Sequence, residues 1–234
     1  MITHILMALG QEAAETIAQI PPVKEELSFS LISMAFKGGW IMIPLLALSI
    51  LALYIFGERW WAIRKASQID ENFMRNINDY IHEGKIKAAI NLCQAQETPI
   101  ARLIEKGVER IGRPLNDIQT AVENMGNLEV SKLEKGLPML ATIAGGAPML
   151  GFLGTVIGMI QAFYNMSQAG SNVDITLLSG GIYTAMVTTV AGLTVGIMAY
   201  FGYNYLTARI DNIVYKMESN TIEFMDLLHE PAGK

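Results

Sequence analysis

The chain has 234 residues, is 51% hydrophobic and carries charge on only 17% of its residues, against about 25% in ordinary soluble domains. A formal net charge of −5 argues against nucleic acid as a partner. The one cysteine, Cys93, excludes an intramolecular disulfide and reads as a small buried hydrophobe rather than a reactive thiol.

Residues 1–37 hold no spanning segment. Residues 1–20 contain no Lys or Arg, and Gln11, Glu12 and Glu15 interrupt any apolar run. A secretory signal needs a basic start and an apolar core, so the stretch is read as a short amphipathic helix on a membrane surface, ended by Pro21-Pro22. The first predicted membrane segment is residues 38–57, uncharged between Lys37 and Glu58 and just long enough to span. Trp40 marks one end and Trp60 and Trp61 the other, as interfacial aromatics do.

Residues 58–136 are different in kind, with twelve of the 17 Lys and Arg residues. Ile100, Leu103, Ile104, Val108 and Ile111 follow helical spacing. Gly84, Thr98-Pro99 and Gly112-Arg113-Pro114 mark breaks between helices. A further helix from about Leu115 to Lys135 leads to the second membrane segment. The whole is read as a soluble helical domain whose charges are solvated surface.

The second and third membrane segments are predicted over 137–166 and 175–206, linked by 167–174. Thirty helical residues reach about 45 Å, more than the ~30 Å hydrocarbon core, so both helices are expected to project into the soluble domain. Residues 207–234 form an amphipathic tail, with Ile210, Ile213, Val214, Met217, Phe224, Met225 and Leu228 on one stripe. It is expected to pack on the soluble domain or on a neighbouring copy. Arg59, Arg64, Lys65, Lys132, Lys135 and Arg209 flank one set of membrane ends, and the 167–174 link has no basic residue. The positive-inside rule then puts 58–136 and the tail in the cytoplasm and residues 1–37 and the link in the periplasm.

Two features stand out in the membrane segments. Gly154 and Gly158 form one GxxxG, and Gly192 and Gly196 another, a spacing that lets helices approach closely. It serves either a multi-helix channel wall or packing within the chain. Hydroxyls are the second feature: Thr155 on one helix, and Thr184, Thr188 and Thr189 on the next. Most membrane threonines bond the carbonyl one turn back, but these could line a polar seam. No Asp, Glu, Lys, Arg or His lies within 38–57, 137–166 or 175–206. There is no metal-ligand cluster, nucleophile–base pair or phosphate loop, so an enzyme reading has nothing to rest on, and no cofactor is expected.

The stretches Ala147-Pro-Met-Leu-Gly-Phe-Leu-Gly-Thr155-Val-Ile-Gly-Met159 and Gly181-Ile-Tyr-Thr-Ala-Met-Val-Thr-Thr189-Val-Ala-Gly-Leu193, with Thr98-Pro-Ile-Ala-Arg-Leu103, resemble the ExbB/TolQ/MotA proton-channel family over roughly residues 35–228. Three membrane segments, rather than four, resemble its ExbB and TolQ branch. The resemblance implies an all-α integral membrane protein with three transmembrane helices. It also implies a homo-oligomer, a pentamer, around single-span ExbD-like subunits bearing a membrane Asp. Proton flow through that complex would energise a TonB-like transducer for outer-membrane transport. By position, Thr155 and Thr189 match the family's pathway threonines, and Thr184 stands where the family usually has a Glu. Thr155, Thr189, Thr184 and Thr188 are thus expected to line the lumen, and Thr155, Thr189 and Thr184 to donate hydrogen bonds favouring the charged form of the partner's Asp. The glycines Gly154, Gly158, Gly192 and Gly196 are expected to pack helices. A TolQ-like or surface-motility motor, a non-conducting scaffold, and sodium in place of protons all stay open.

The orientation can be tested with Ser171→Cys, which is expected to label with a membrane-impermeant thiol reagent in intact spheroplasts, while Cys93 stays protected. Labelling of an exposed cytoplasmic control with no labelling at position 171 would reverse the topology.

Overall fold

The computed structural model describes residues 38–68, 70, 72–168 and 175–229, and every regular element among them is an α-helix. These are α1 (Met42–Ala66), α2 (Phe73–His82), α3 (Ile86–Ala95), α4 (Pro99–Val108), α5 (Leu115–Glu134), α6 (Leu137–Gln168) and α7 (Ile175–His229). The amphipathic helix expected within 1–37, the link residues Ser171 and Asp174, and the last five residues of the tail lie outside the described residues.

Three helical stretches, containing α1, α6 and α7, are long and apolar enough to cross a membrane. Each runs further than its apolar run. α1 continues past Gly57 for nine more residues, to Ala66, because Gly57 lies in open space on the helix surface and nothing after it breaks the helix. α6 and α7 have 32 and 55 residues, about 48 Å and about 80 Å long at the α-helical rise. Both exceed the hydrocarbon core, and α7 runs on along α2, α4 and α5.

The expected boundary between a third membrane segment ending at Leu206 and a separate tail helix does not exist as a break, since α7 is continuous from Ile175 to His229. No Gly or Pro interrupts the sequence from Leu206 to Arg209, and Thr207 bonds back to the Tyr203 carbonyl at 2.9 Å within the helix. The buried face simply continues through Ala199, Leu206, Ile210, Ile213, Met217 and Phe224.

The soluble domain wraps the lower half of α7. Thr98 caps α4, its hydroxyl accepting from the Ala101 N–H at 3.3 Å with Pro99 at the first helical position, a favoured start. One face of α4 (Ile100, Leu103, Ile104, Val108) is buried. Gly107 completes it: a methyl group built there would lie 2.3 Å from the Phe224 ring, so the missing side chain is the socket for Phe224. α5 turns into α6 at Gly136, whose φ of +87° is open to glycine at little cost. Arg59 of α1, ion-paired with Glu58, donates to the Lys132 carbonyl at 3.2 Å and so satisfies an otherwise orphan group in the last turn of α5.

One charge does not fit the expectation of a purely solvated face. Glu129 is only 2% exposed. It accepts from Arg102 of α4 at 2.7 Å and from Lys132 at 2.6 Å, while Arg102 also donates to the Glu97 carbonyl at 3.1 Å. A buried carboxylate persists only when paired, so this one fixes α4 against α5. Position 129 is one turn before Lys132 on an otherwise charged helix, and nothing in the local sequence separates it from its solvated neighbours.

Cys93 is 1% exposed, and burial pushes its thiol up from 9.0 to about 12. Because the folded value lies above the unfolded one, this contribution to stability is complete below pH 9.0 and is lost as pH rises towards about 12. The native protein is expected to react slowly with maleimides even in lysed membranes. Its thermal midpoint should fall at alkaline pH, and Cys93→Ala should flatten that fall. An unchanged alkaline slope in the variant would remove the thiol as its cause.

Candidate functional site: the seam between the two long helices

α6 and α7 run antiparallel and are in contact along nearly the whole apolar part of α6. The residues that meet are small, and they recur about once per turn. Methyl groups built on the glycines measure the closeness. At Gly181 one would lie 2.5 Å from the Ala162 Cβ, and at Gly158 one would lie 3.0 Å from the Ala185 Cβ. At Gly154 it would meet the Thr188 hydroxyl oxygen at 2.4 Å, and at Gly192 the Ala147 carbonyl oxygen at 2.6 Å. At Gly196 it would strike the Pro148 ring at 2.4 Å. Pro148 lies inside α6 and cannot donate to the Ala144 carbonyl one turn back. Gly196 leaves room for both the ring and that freed carbonyl. The four glycines Gly154, Gly158, Gly192 and Gly196 thus sit in the packing of this chain against itself. By contrast Gly145, Gly146 and Gly180 have nothing within 4 Å.

Four threonines lie in or beside the seam. Thr155 is half-buried and donates to the Phe152 carbonyl at 2.5 Å, the self-satisfying bond usual for a membrane threonine. Thr188 is 1% exposed and donates to the Ala185 carbonyl at 2.7 Å. Grouped with the lumen-lining hydroxyls from sequence, it is instead enclosed against Gly151 and Gly154, at no free surface of the chain. Thr184 is half-buried, its methyl group 4.0 Å from where a Cβ on Gly39 would lie.

Thr189 breaks the local rule. Its hydroxyl crosses to α6 and donates to the Gly151 carbonyl at 3.1 Å. In an α-helix that carbonyl is the acceptor for the N–H four residues on, which is Thr155. The two threonines singled out by sequence are therefore joined through one carbonyl, in a seam without an ionisable side chain. Sequence spacing marked the glycines but not this acceptor, because an interhelical hydrogen bond depends on the register of α7 against α6. With both protons given to carbonyls, the Thr155 and Thr189 oxygens keep their lone pairs for further bonds. In this arrangement they offer acceptor lone pairs, and the donation expected from sequence requires each hydroxyl to rotate away from its carbonyl.

Outside the seam the long helices are apolar. Met149, Phe152, Ile160, Met186, Val190 and Phe201 are all exposed on the single chain, a contiguous surface suited to lipid or to other membrane helices. The described residues contain no group of three His, Cys, Asp or Glu side chains able to hold a metal.

A sequence model described as the MotA/TolQ/ExbB proton channel family matches residues 95–219, which run from the end of α3 through the soluble part of α7. A protein named as a biopolymer transport ExbB homolog in Methanothermobacter thermautotrophicus is 30% identical over 190 residues, covering 81% of this chain and 67% of its own. The Tol-Pal system protein TolQ of Haemophilus influenzae is 35% identical over 106 residues, 45% of this chain and 46% of its own. The biopolymer transport protein ExbB of Neisseria meningitidis serogroup B is 25% identical over 180 residues, 71% of this chain and 80% of its own.

The seam predicts a steric asymmetry among glycines. Gly192→Val should separate α6 from α7 and destabilise the protein by about 1–3 kcal/mol, as overpacking does, read as a lower thermal midpoint in detergent. Gly145→Ala, in open space, should be neutral or slightly stabilising. Equal midpoints for both variants would show that the close approach carries no stability.

Proposed function

The chain belongs to the MotA/TolQ/ExbB proton channel family, and on that premise we infer that it is the channel and stator subunit of a proton-driven motor in the inner membrane. The observation that best supports a pathway role is the Thr189 hydroxyl crossing to the Gly151 carbonyl, the acceptor of the Thr155 backbone N–H, in an uncharged membrane seam. A proton relay through hydrocarbon normally uses groups that change protonation state, and the membrane segments of this chain contain no Asp, Glu, Lys, Arg or His. The titrating group is therefore assigned to a partner, an ExbD-like single-span subunit with a membrane Asp. Thr184, standing where the family usually has a Glu, leaves that Asp as the only essential membrane acid.

The hydroxyl geometry gives the threonines a definite part. With their protons on carbonyls, Thr155 and Thr189 offer lone pairs to a protonated carboxylic acid or to water. Rotation of the same hydroxyls would let them donate to the carboxylate once the proton has moved on. Each hydroxyl thereby serves both states of a passing acid without being ionised. In this reading several copies of the chain, a pentamer by resemblance, surround the partner and turn these threonines toward it. The soluble domain and the lower half of α7 lie in the cytoplasm, and the work is delivered to a TonB-like transducer for outer-membrane transport. TolQ supplies the second reading, favoured by its 35% identity over 106 residues, in which the same motor drives a Tol-Pal type transducer.

The experiment is proton flux into liposomes holding the chain alone, the chain with its partner, and the chain with the partner's Asp changed to Asn. Flux is expected only with the intact partner. Thr155→Val and Thr189→Val should each impair it while leaving assembly nearly intact, since hydrogen bonds between membrane helices are worth only about 0.6 kcal/mol. Substantial flux from the chain alone, or wild-type flux from both valine variants, would overturn the assignment. Rescue of a strain lacking ExbB but not of one lacking TolQ, or the reverse, separates the two motors.

A further inference from the structure

A second site lies on the opposite side of α7 from the seam, where α1 leaves the apolar zone. A crevice of about 410 Å³ opens there between the C-terminal half of α1 and residues 205–216 of α7. Arg64, Arg209 and Lys216 line it together with Ser67, Gln68 and Asn212, and no acidic residue does. Among the described residues none of the three basic side chains is ion-paired. Two of them are held in place by aromatic rings instead. Arg64 lies over the Trp60 ring at 5.4 Å and Arg209 over the Tyr205 ring at 5.4 Å. Arg209 also donates to the Tyr205 hydroxyl at 3.3 Å, which leaves that hydroxyl's own proton for another acceptor.

A second cavity, of about 470 Å³, adjoins the first and shares Tyr205 with it. Its walls are almost wholly apolar: Leu53 and Phe56 of α1, Leu140 of α6, and Val195, Met198 and Phe201 of α7. From Tyr205 to Val195 the helix rises about 15 Å, half of the ~30 Å hydrocarbon core. The basic crevice lies beyond the uncharged runs, at Arg64, six residues past Glu58, on one helix and at Arg209 on the other. The apolar groove runs from there into the uncharged zone.

We propose that this two-part crevice binds one anionic glycerophospholipid of the leaflet facing the soluble domain. Its phosphate would sit among Arg64, Arg209 and Lys216, and an acyl chain would lie along the groove between α1 and α7. Uncompensated cationic groups between membrane helices recognise anionic headgroups. Arginine stacked on an aromatic ring keeps its guanidinium edge free for a planar phosphate contact. A free phosphate would satisfy the crevice but not the groove, and an apolar peptide the groove but not the crevice. A second copy of the chain would have to bring a carboxylate such as Asp211 to this depth, and the test separates that occupant from lipid. The bound lipid would tie α1 to α7 and touch α6 at Leu140.

The test is native mass spectrometry of the intact oligomer, delipidated and then titrated separately with phosphatidylglycerol, phosphatidylethanolamine and inorganic phosphate. Phosphatidylglycerol is expected to bind as a discrete adduct, at least about tenfold tighter than phosphatidylethanolamine, and millimolar phosphate should not displace it. Each basic side chain near an anionic surface contributes about a factor of five, so Arg64→Gln with Arg209→Gln should weaken phosphatidylglycerol about 25-fold. Arg64→Lys with Arg209→Lys should keep most of the preference. Arg75→Gln with Lys87→Gln, exposed on the soluble domain, should change nothing. If the glutamine pair does not assemble, the lysine pair and the lipid comparison in the wild type still decide. Equal retention of both lipids, displacement by phosphate, or undiminished binding in the glutamine pair would overturn the site. So would dissociation of the glutamine pair with lipid retention unchanged, which would give the crevice to a second copy.

Discussion

The packing of α6 against α7 without intervening side chains is the constraint on which the rest depends. Where glycines face glycine, alanine or threonine, the two backbones approach until a carbonyl oxygen of one helix lies within 2.6–2.9 Å of where a Cβ on the other would stand, as at Gly192 and Gly151. Only at that separation can a side chain as short as threonine cross from α7 to a carbonyl of α6, as Thr189 does to Gly151. The glycines and the hydroxyl are thus one device: the missing Cβ atoms create the distance that the hydrogen bond needs. Pro148 belongs to it, because its ring is accommodated by Gly196 and its missing N–H leaves the Ala144 carbonyl facing α7. In lipid, where the hydrophobic effect does not drive helices together, such van der Waals contact is the main source of association.

That seam is continued mechanically by the length of α7. The helix that carries Thr189 also carries Phe224, with no break between them. Phe224 is locked into the socket left by Gly107 on α4, and α4 is fixed to α5 through the buried Glu129 and its partners Arg102 and Lys132. The soluble domain therefore grips α7 by shape and by a paired charge. Removing one partner of a buried pair is costly because it strands the other. A displacement at the level of the seam would have to be accommodated either in these contacts or by bending a helix that contains no proline.

The charges divide by environment. Exposed pairs such as Lys65 with Glu97 at 2.7 Å, which holds the Glu97 carboxyl below its ordinary value, are strongly solvated and add little to stability. Where solvent is excluded, as at Glu129 enclosed by two helices, a charge persists in a pair. Arg64 and Arg209, exposed on the single chain, rest instead on aromatic rings.

Much of this molecule is legible in the sequence, for a physical reason. The cost of placing charge in hydrocarbon forces uncharged runs near 38–57, 137–166 and 175–206, and those runs announce the spanning helices by themselves. Helical spacing at Ile100, Leu103, Ile104 and Val108, and the breaks at Gly84, Thr98-Pro99 and Gly112, are likewise local facts of backbone and side chain, and the helices of the soluble domain start and stop there. The paired GxxxG motifs marked the close-packing faces. What the sequence did not determine is whatever depends on one helix's register against another. Glu129 and Glu123 look alike on paper, and only the approach of α4 buries the first. Thr188 and Thr189 are neighbours, yet a rotation of one residue, about 100°, encloses one hydroxyl and sends the other to Gly151. The convergence of Arg64 with Arg209 from positions far apart in the chain was decided by tertiary packing alone.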